Sequence, residues 1–283
     1  MSHGAQAVEL VGIAVEAAQP NGAAVGRVDD ASEGAAVLLG KRVLVPPIDP
    51  CGQCDVCRRG GAAVCPLAKP RGEIGARLRV ASRWVVALGD GLELPIPAAA
   101  AVAGDVATAY TLYARTGLGP REPVVIVGDN AVTRFLVEIV RAKGITPTVI
   151  AAGTPAWRDW LLAKGAAVVG AGDAHLHDAV TAAVATQGLG ARPWRVIATT
   201  AGALVPAAAL AGPRATLTAY VDGAAPALPG DVLAREVTVI GVAGPHPDLI
   251  VEAAAMCVKG EIDLAGGVTT DAGDATRAVV IAR

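Results

Sequence analysis

Four of the chain's five cysteines, Cys51, Cys54, Cys57 and Cys65, fall within fifteen residues in the spacing C-x2-C-x2-C-x7-C. This spacing lets thiolates converge on one ion, and it constrains the fold more than any other stretch. Zinc is the first choice, because it accepts four soft thiolates in a tetrahedron and needs no redox chemistry. Four protein sulfurs fill the coordination shell, so one ion per chain is expected to hold a lobe together and to activate nothing. Three other readings stand behind zinc. An iron–sulfur cluster shares the C-x2-C-x2-C opening, but ferredoxin runs continue with x3-C-P, and here seven residues separate Cys57 from Cys65-Pro66. Disulfides accompany export, and residues 1–10 lack a charged region followed by a long apolar run. The last reading leaves the cysteines without a shared ligand.

At 283 residues the chain is long enough to bury a core and to divide into two lobes. A hydrophobic content of 53% with 18% charged residues excludes disorder, and 34 glycines with 19 prolines imply many turns. With one Phe, three Tyr and four Trp, alanine and valine have to fill most of the core. Such side chains bury little apolar area each, which makes oligomerisation an attractive source of further burial. A net charge of -2 with dispersed basic residues, Arg58-Arg59 being the tight pair near the cysteines, argues against a nucleic-acid partner. The alanine-rich run 97–103 is too short to cross a membrane, and a cytoplasmic location is expected.

Val8, Leu10, Ile13 and Val15, the turn Pro20-Asn21-Gly22, and the runs 24–28, 43–45, 78–80 and 84–86 predict a small β-rich lobe around the cysteines. Beyond Pro95 the grammar changes, with helix expected over 105–115 and a turn bracketed by Pro120 and Pro123. The apolar run 124–127 reads as a buried parallel strand. Helices over 131–143, 155–164, 176–186 and 202–210 then alternate with strands over 148–150, 166–169, 195–198 and 215–221. A strand over 237–240 and a helix over 247–259 follow. Repeated units of this kind make a doubly wound parallel sheet. The expected class is α/β: a β-rich lobe over 1–97 with the four-cysteine loop, a Rossmann-type lobe over 98–240, and a C-terminal helix and return segment over 241–283 packing against both.

Gly40-Lys41-Arg42-Val43-Leu44-Val45 leads into the cysteine loop, Asp105-Val106-Ala107-Thr108-Ala109-Tyr110 marks the junction, Val124-Val125-Ile126-Val127-Gly128 enters the nucleotide-type fold, and residues 246–260 lie near the end. In this order the chain resembles the medium-chain, zinc-containing alcohol dehydrogenase family, from about Val8 onward. The resemblance implies a GroES-like lobe with a structural zinc and a Rossmann lobe for NAD or NADP. It also implies a second zinc in the cleft that polarises an alcohol or carbonyl oxygen, and a homodimer whose sheets join through segment 237–242.

Departures from the family pattern bear on activity. No cysteine precedes Cys51, the early histidine is His3, and Gly22 and Ala23 stand where a Gly-His-Glu motif would place its imidazole and carboxylate. Neither side chain can ligate a metal. Asp105 lies near the family's further ligand position. Its favoured reading is an N-cap of a helix over 106–113, with a retained cleft function as the alternative. The loop Gly128-Asp129-Asn130-Ala131-Val132-Thr133 keeps only the first glycine of G-x-G-x-x-G, and Asn130 brings a side chain to where pyrophosphate would approach. After the next strand, 149–154 offers neither an acid for the ribose nor an arginine for a 2'-phosphate. Residual NAD or NADP binding would use Gly128, Asn130, Ala131 and Val132.

Outside these stretches, His175 and His177 read as solvent groups or caps before a metal pair, and His246 as a structural residue before a recognition group, with Asp248 at N-cap or N1 of the last long helix. Cys257 reads as a small buried hydrophobe, and Trp157 with Trp160 as a packing pair on one helix face. Taken together the residues describe a diverged alcohol dehydrogenase-like protein that keeps structural zinc and is noncatalytic or altered in activity, with a small-molecule or protein partner. The alternative is an NAD(P)-dependent oxidoreductase acting on an alcohol, aldehyde or enone without catalytic zinc.

Overall fold

The computed structural model of the chain describes residues 9–71, 74–89, 92–119, 122–151, 153–186, 195–221, 224–271, 273–274 and 277–282. His3, Val8, Pro120 and Ala152, which figured in the sequence reading, lie outside them. The first lobe is built on β1 (Leu10–Ala18), β2 (Ala24–Ala31) and β3 (Arg42–Val45), antiparallel neighbours in one sheet. Val11, Ile13, Val43 and Val45 from these strands are buried in a common cluster. Gly22, at φ 91, makes the tight turn between β1 and β2, a backbone region open to glycine at little cost. Short strands β4 (Ile48–Asp49) and β5 (Lys69–Pro70) pair at the base of the cysteine loop, which contains α1 (Asp55–Arg58). β6 (Arg77–Ala81) pairs with β1, and β7 (Val86–Ala87) pairs with β3.

Two local expectations need correction. Strand was expected over 84–86, but Ser82–Trp84 forms a 3-10 turn and extended pairing starts at Val86. The Trp84 indole N–H donates to the Pro50 carbonyl at 3.0 Å, which draws the chain toward the cysteine loop. The second correction concerns Asp105, which does not cap a helix. Helix starts ten residues earlier: α2 (Ile96–Ala101) runs through a π turn (Val102–Val106) into α3 (Ala107–Thr116). Alanines 98–101 and 103 are strong helix formers and are buried here, so they carry the helix past Asp105 without a break.

The second lobe contains β8 (Val124–Val127), α4 (Ala131–Ala142), β9 (Pro147–Ala151), α5 (Pro155–Ala163), β10 (Ala167–Gly170) and α6 (Leu176–Ala185). It continues with β11 (Arg195–Ala198), α7 (Leu204–Leu210), β12 (Thr216–Tyr220), α8 (Asp231–Ala234) and β13 (Thr238–Val242). All six strands are parallel in the order β10-β9-β8-β11-β12-β13, the doubly wound arrangement. Because β13 ends at Val242, the division drawn at 240 falls within this strand.

After α9 (Pro247–Val258) and α10 (Leu264–Gly267), β14 (Val268–Thr269) pairs with β15 (Ala278–Val279), and β16 (Ile281–Ala282) returns to β1. One apolar cluster spans the junction, joining Val25 and Leu44 of the first sheet to Val102, Leu112, Ile126 and Phe135. Trp157 and Trp160 stack with ring centroids 4.9 Å apart, the packing pair expected from their spacing, and Cys257 is buried. No helix among the described residues is long and apolar enough to cross a membrane.

Candidate metal centre and interlobe cleft

The cysteine loop folds back so that all four sulfurs lie within 4.8 Å of one another. Cys65 Sγ stands 3.5 Å from Cys51 Sγ and 3.8 Å from Cys54 Sγ. A tetrahedron with zinc–sulfur bonds of about 2.3 Å has edges of about 3.8 Å, so the set fits one ion. It leaves no room for the several irons and sulfides of a cluster. All four cysteines are free.

Backbone amides turn inward to support the sulfurs. Cys54 N–H donates to Cys51 Sγ, Cys57 N–H to Cys54 Sγ and Cys51 N–H to Cys65 Sγ, each at 3.4 Å. Amides of Gln53 and Cys54 hold the Cys51 thiol down to about 6, and burial pushes Cys57 up to about 12. Gly52, at φ 67, carries the loop through a left-handed turn, and Arg83 packs over it while donating to the Cys51 carbonyl at 3.1 Å. Zinc held by Cys51, Cys54, Cys57 and Cys65 would supply cross-linking with no coordination position open to substrate. Among the described residues, these four are the one group of three or more Cys, His, Asp or Glu side chains placed to share an ion.

The second region lies between the lobes. Asp105, in the π turn, faces the β1–β2 turn: Gln19 Nε2 donates to its Oδ2 at 2.6 Å and Asn21 Nδ2 to its Oδ1 at 3.4 Å. The Asp105 N–H returns a bond to Gln19 Oε1 at 3.3 Å. A side chain at position 104 would strike Gln19, which explains the glycine there. Burial raises the Asp105 pKa to about 6 against the opposing effect of the Gln19 bond. Beside it is a cavity of about 250 Å³ whose lining includes Asp105, Gln19, Asn21, Asn130, Tyr220 and Arg277. Where a cleft zinc would need imidazole or thiolate, the chain presents the amides of Gln19 and Asn21 next to Gly22 and Ala23. These residues do not fit a catalytic zinc.

The nucleotide crevice of a doubly wound sheet opens at the strand carboxyl ends where the order reverses, here between β8 and β11. Asn130 occupies the N-cap of α4, and its Oδ1 accepts from Thr133 N–H at 2.9 Å and from Thr133 Oγ1 at 3.0 Å. Its Nδ2 crosses the crevice and donates to the Thr199 carbonyl, just past β11, at 3.0 Å. The fully buried hydroxyls of Thr133 and Thr199 meet at 2.7 Å. Gly128, at φ 146, is needed because a Cβ there would run into Thr199. Side chains of the protein thus occupy part of the space that a glycine-rich loop leaves for pyrophosphate, and this donor set does not fit a dinucleotide in the ordinary pose. Ala131 and Val132 form the first turn of α4 behind this cap.

His175 and His177 are exposed at the start of α6, as solvent groups. On α9 the N-cap is His246, Pro247 follows at N1, and Asp248 is therefore N2, one position further in than the sequence reading placed it. The His246 ring reaches the cysteine loop, with Nε2 2.8 Å from the Gly60 carbonyl, a contact that no local sequence signal announces.

No protein-family model and no curated protein sequence matches the chain. Solved structures do. Alcohol dehydrogenase TADH from Thermus sp. ATN1 is 18% identical, with 95% of this chain and 87% of that one covered and a TM-score of 0.81. Galactitol-1-phosphate dehydrogenase from Escherichia coli is 16% identical, covering 100% and 95%, at a TM-score of 0.77. A short chain alcohol dehydrogenase from E. coli CFT073, complexed with NADH, is 15% identical, covering 98% and 92%, at 0.78. At these identities the likeness is one of fold: a GroES-like lobe with a four-cysteine loop joined to a Rossmann lobe, as in medium-chain zinc-containing alcohol dehydrogenases.

Proposed function

We propose that this chain is a diverged, noncatalytic protein of alcohol dehydrogenase fold, in which the structural-zinc lobe and the parallel sheet serve assembly or the binding of a small molecule or protein. The observation that carries the reading is the Asn130–Thr133–Thr199 network across the β8–β11 crevice. It is supported by the amide pair Gln19 and Asn21 facing Asp105 where a cleft zinc would need ligands. Four cysteines left free of disulfides, with their sulfurs converging on one point, agree with a reducing, cytoplasmic location. The exposed edge strand β13 supports a homodimer in which two parallel sheets join.

Elemental analysis joined to calorimetric titration with NADH and NADPH tests the proposal. One zinc per chain and no saturable nicotinamide binding is the expected outcome. Two zinc ions per chain, or a dissociation constant below about 100 μM, overturns it. One observation favours a second reading, an oxidoreductase without catalytic zinc: Asp105, with a pKa raised to about 6, borders a cavity that Asn130, Ala131 and Val132 also line. Saturable nicotinamide binding with a single zinc would select it.

A further inference from the structure

The metal loop belongs to the first lobe in sequence, yet its tip rests on the second. Gly60 follows α1 and is itself tied to a ligand residue, its N–H donating to the Cys57 carbonyl at 3.0 Å. With φ 82 it turns its own carbonyl outward to His246 Nε2. That distance of 2.8 Å requires Nε2 to carry a proton and donate it. His246 is held in turn by α3, through a bond of 3.0 Å from its backbone N–H to Thr111 Oγ1. Its Nδ1 lies 3.6 Å from Asp248 Oδ2, and only 16% of the side chain is exposed. On the other side of the loop Val64, next to Cys65, lines an apolar groove of about 340 Å³ with Leu204, Val239 and Val242. Both Gly60, which makes the contact to His246, and Val64, which faces the groove, therefore lie close in sequence to a metal ligand.

We infer that filling the four-cysteine centre and docking the loop on the second lobe are one coupled event, and that His246 is the positioning residue that closes it. The Gly60 carbonyl can meet the ring only when the Cys57–Gly60 turn is fixed, and α1, at four residues, is far too short to hold itself. An ion that fixes Cys54 and Cys57 fixes the turn. Linkage makes the effect reciprocal: if the ion favours docking, docking raises the affinity for the ion by the same factor. The inference depends on the zinc centre alone and stands whether or not the cleft is catalytic.

Two measurements on the full-length, zinc-loaded protein test it. The first is zinc affinity, by competition against a chelating colorimetric indicator, for the native chain, His246→Ala and His246→Gln. His246→Ala is expected to bind zinc about fivefold more weakly or worse, and His246→Gln, whose amide can still donate to Gly60, to recover most of the native affinity. The second is amide hydrogen exchange in the native chain before and after zinc removal, where the first bonded amides of α9, residues 249–252, beginning with the Leu249 N–H that donates to the His246 carbonyl at 2.9 Å, are expected to lose protection together with the loop. A folded His246→Ala chain that binds zinc with native affinity overturns the inference. So does unchanged protection in 249–252 after zinc removal. The exchange measurement needs no variant, so it decides the matter if His246→Ala does not fold.

Discussion

Asp105 shows how one side chain can record a change of use. Its folded pKa of about 6 lies above the usual carboxylate value, so folding favours the protonated form. The advantage is complete at acid pH and is lost as pH rises through the interval between about 4 and 6, leaving the ionised, partly buried carboxylate as a cost of roughly 2–3 kcal/mol. Asp105→Asn keeps an acceptor for Gln19 and removes the charge. We expect its Tm to exceed that of the native chain by about 3–6 °C above pH 7, with the gap shrinking to nothing near pH 4. Thermal melts across that range check the prediction, and a pH-independent gap would refute it. Gly22 and Ala23 were readable from sequence as lost ligands, because no fold can make them bind metal through a side chain. Gln19 was not: it sits at the end of a strand with no signature, and its partner lies 86 positions away. Asp105 was misread as a cap because an acidic residue before a helical run looks the same whether helix begins there or has already run ten residues.

Among the elements, the cysteine loop was the most legible, since four thiolates at those spacings have few geometries open to them. The parallel strands were legible too, because short apolar runs between glycines and helices suit strands buried on both faces, as Val124–Val127 is. The two-residue strands β14, β15 and β16 gave no periodicity to read: β14 and β15 pair with each other, and β16 finds its partner in β1 at the far end of the chain. The loop makes its own prediction. Cys54→Ser takes away one of the four thiol ligands while leaving a hydroxyl that can still cap α1, so its effect isolates the loss of the ligand. Zinc content is expected to fall well below one per chain and the first lobe to unfold at lower denaturant, because binding free energy in such centres is folding free energy. Elemental analysis measures the first, and urea-dependent amide exchange over β1–β3 the second. Retained zinc with unchanged unfolding would count against the role assigned to the cluster.

For the whole molecule, the alanine- and valine-rich core buries little apolar area per side chain, and the dimer proposed above would add to it. β13 is an edge strand whose Val239 is 42% exposed beside the apolar groove. Sedimentation equilibrium at micromolar concentration is expected to return a dimer mass, and Val239→Lys to shift it toward monomer. A monomeric native chain would remove the dimer from the proposal. The two-lobe division was legible from the change of grammar near Pro95; the closure of the chain on itself was not. Because β16 lies against β1, the second lobe is inserted within the first, connected to it by the segment after β7 and again by the one before β16. An inserted body held at two points cannot swing freely as on a single linker. Its easy motion is rotation about the line through both crossings, so any opening of the cavity beside Asp105 is restricted to one hinge axis.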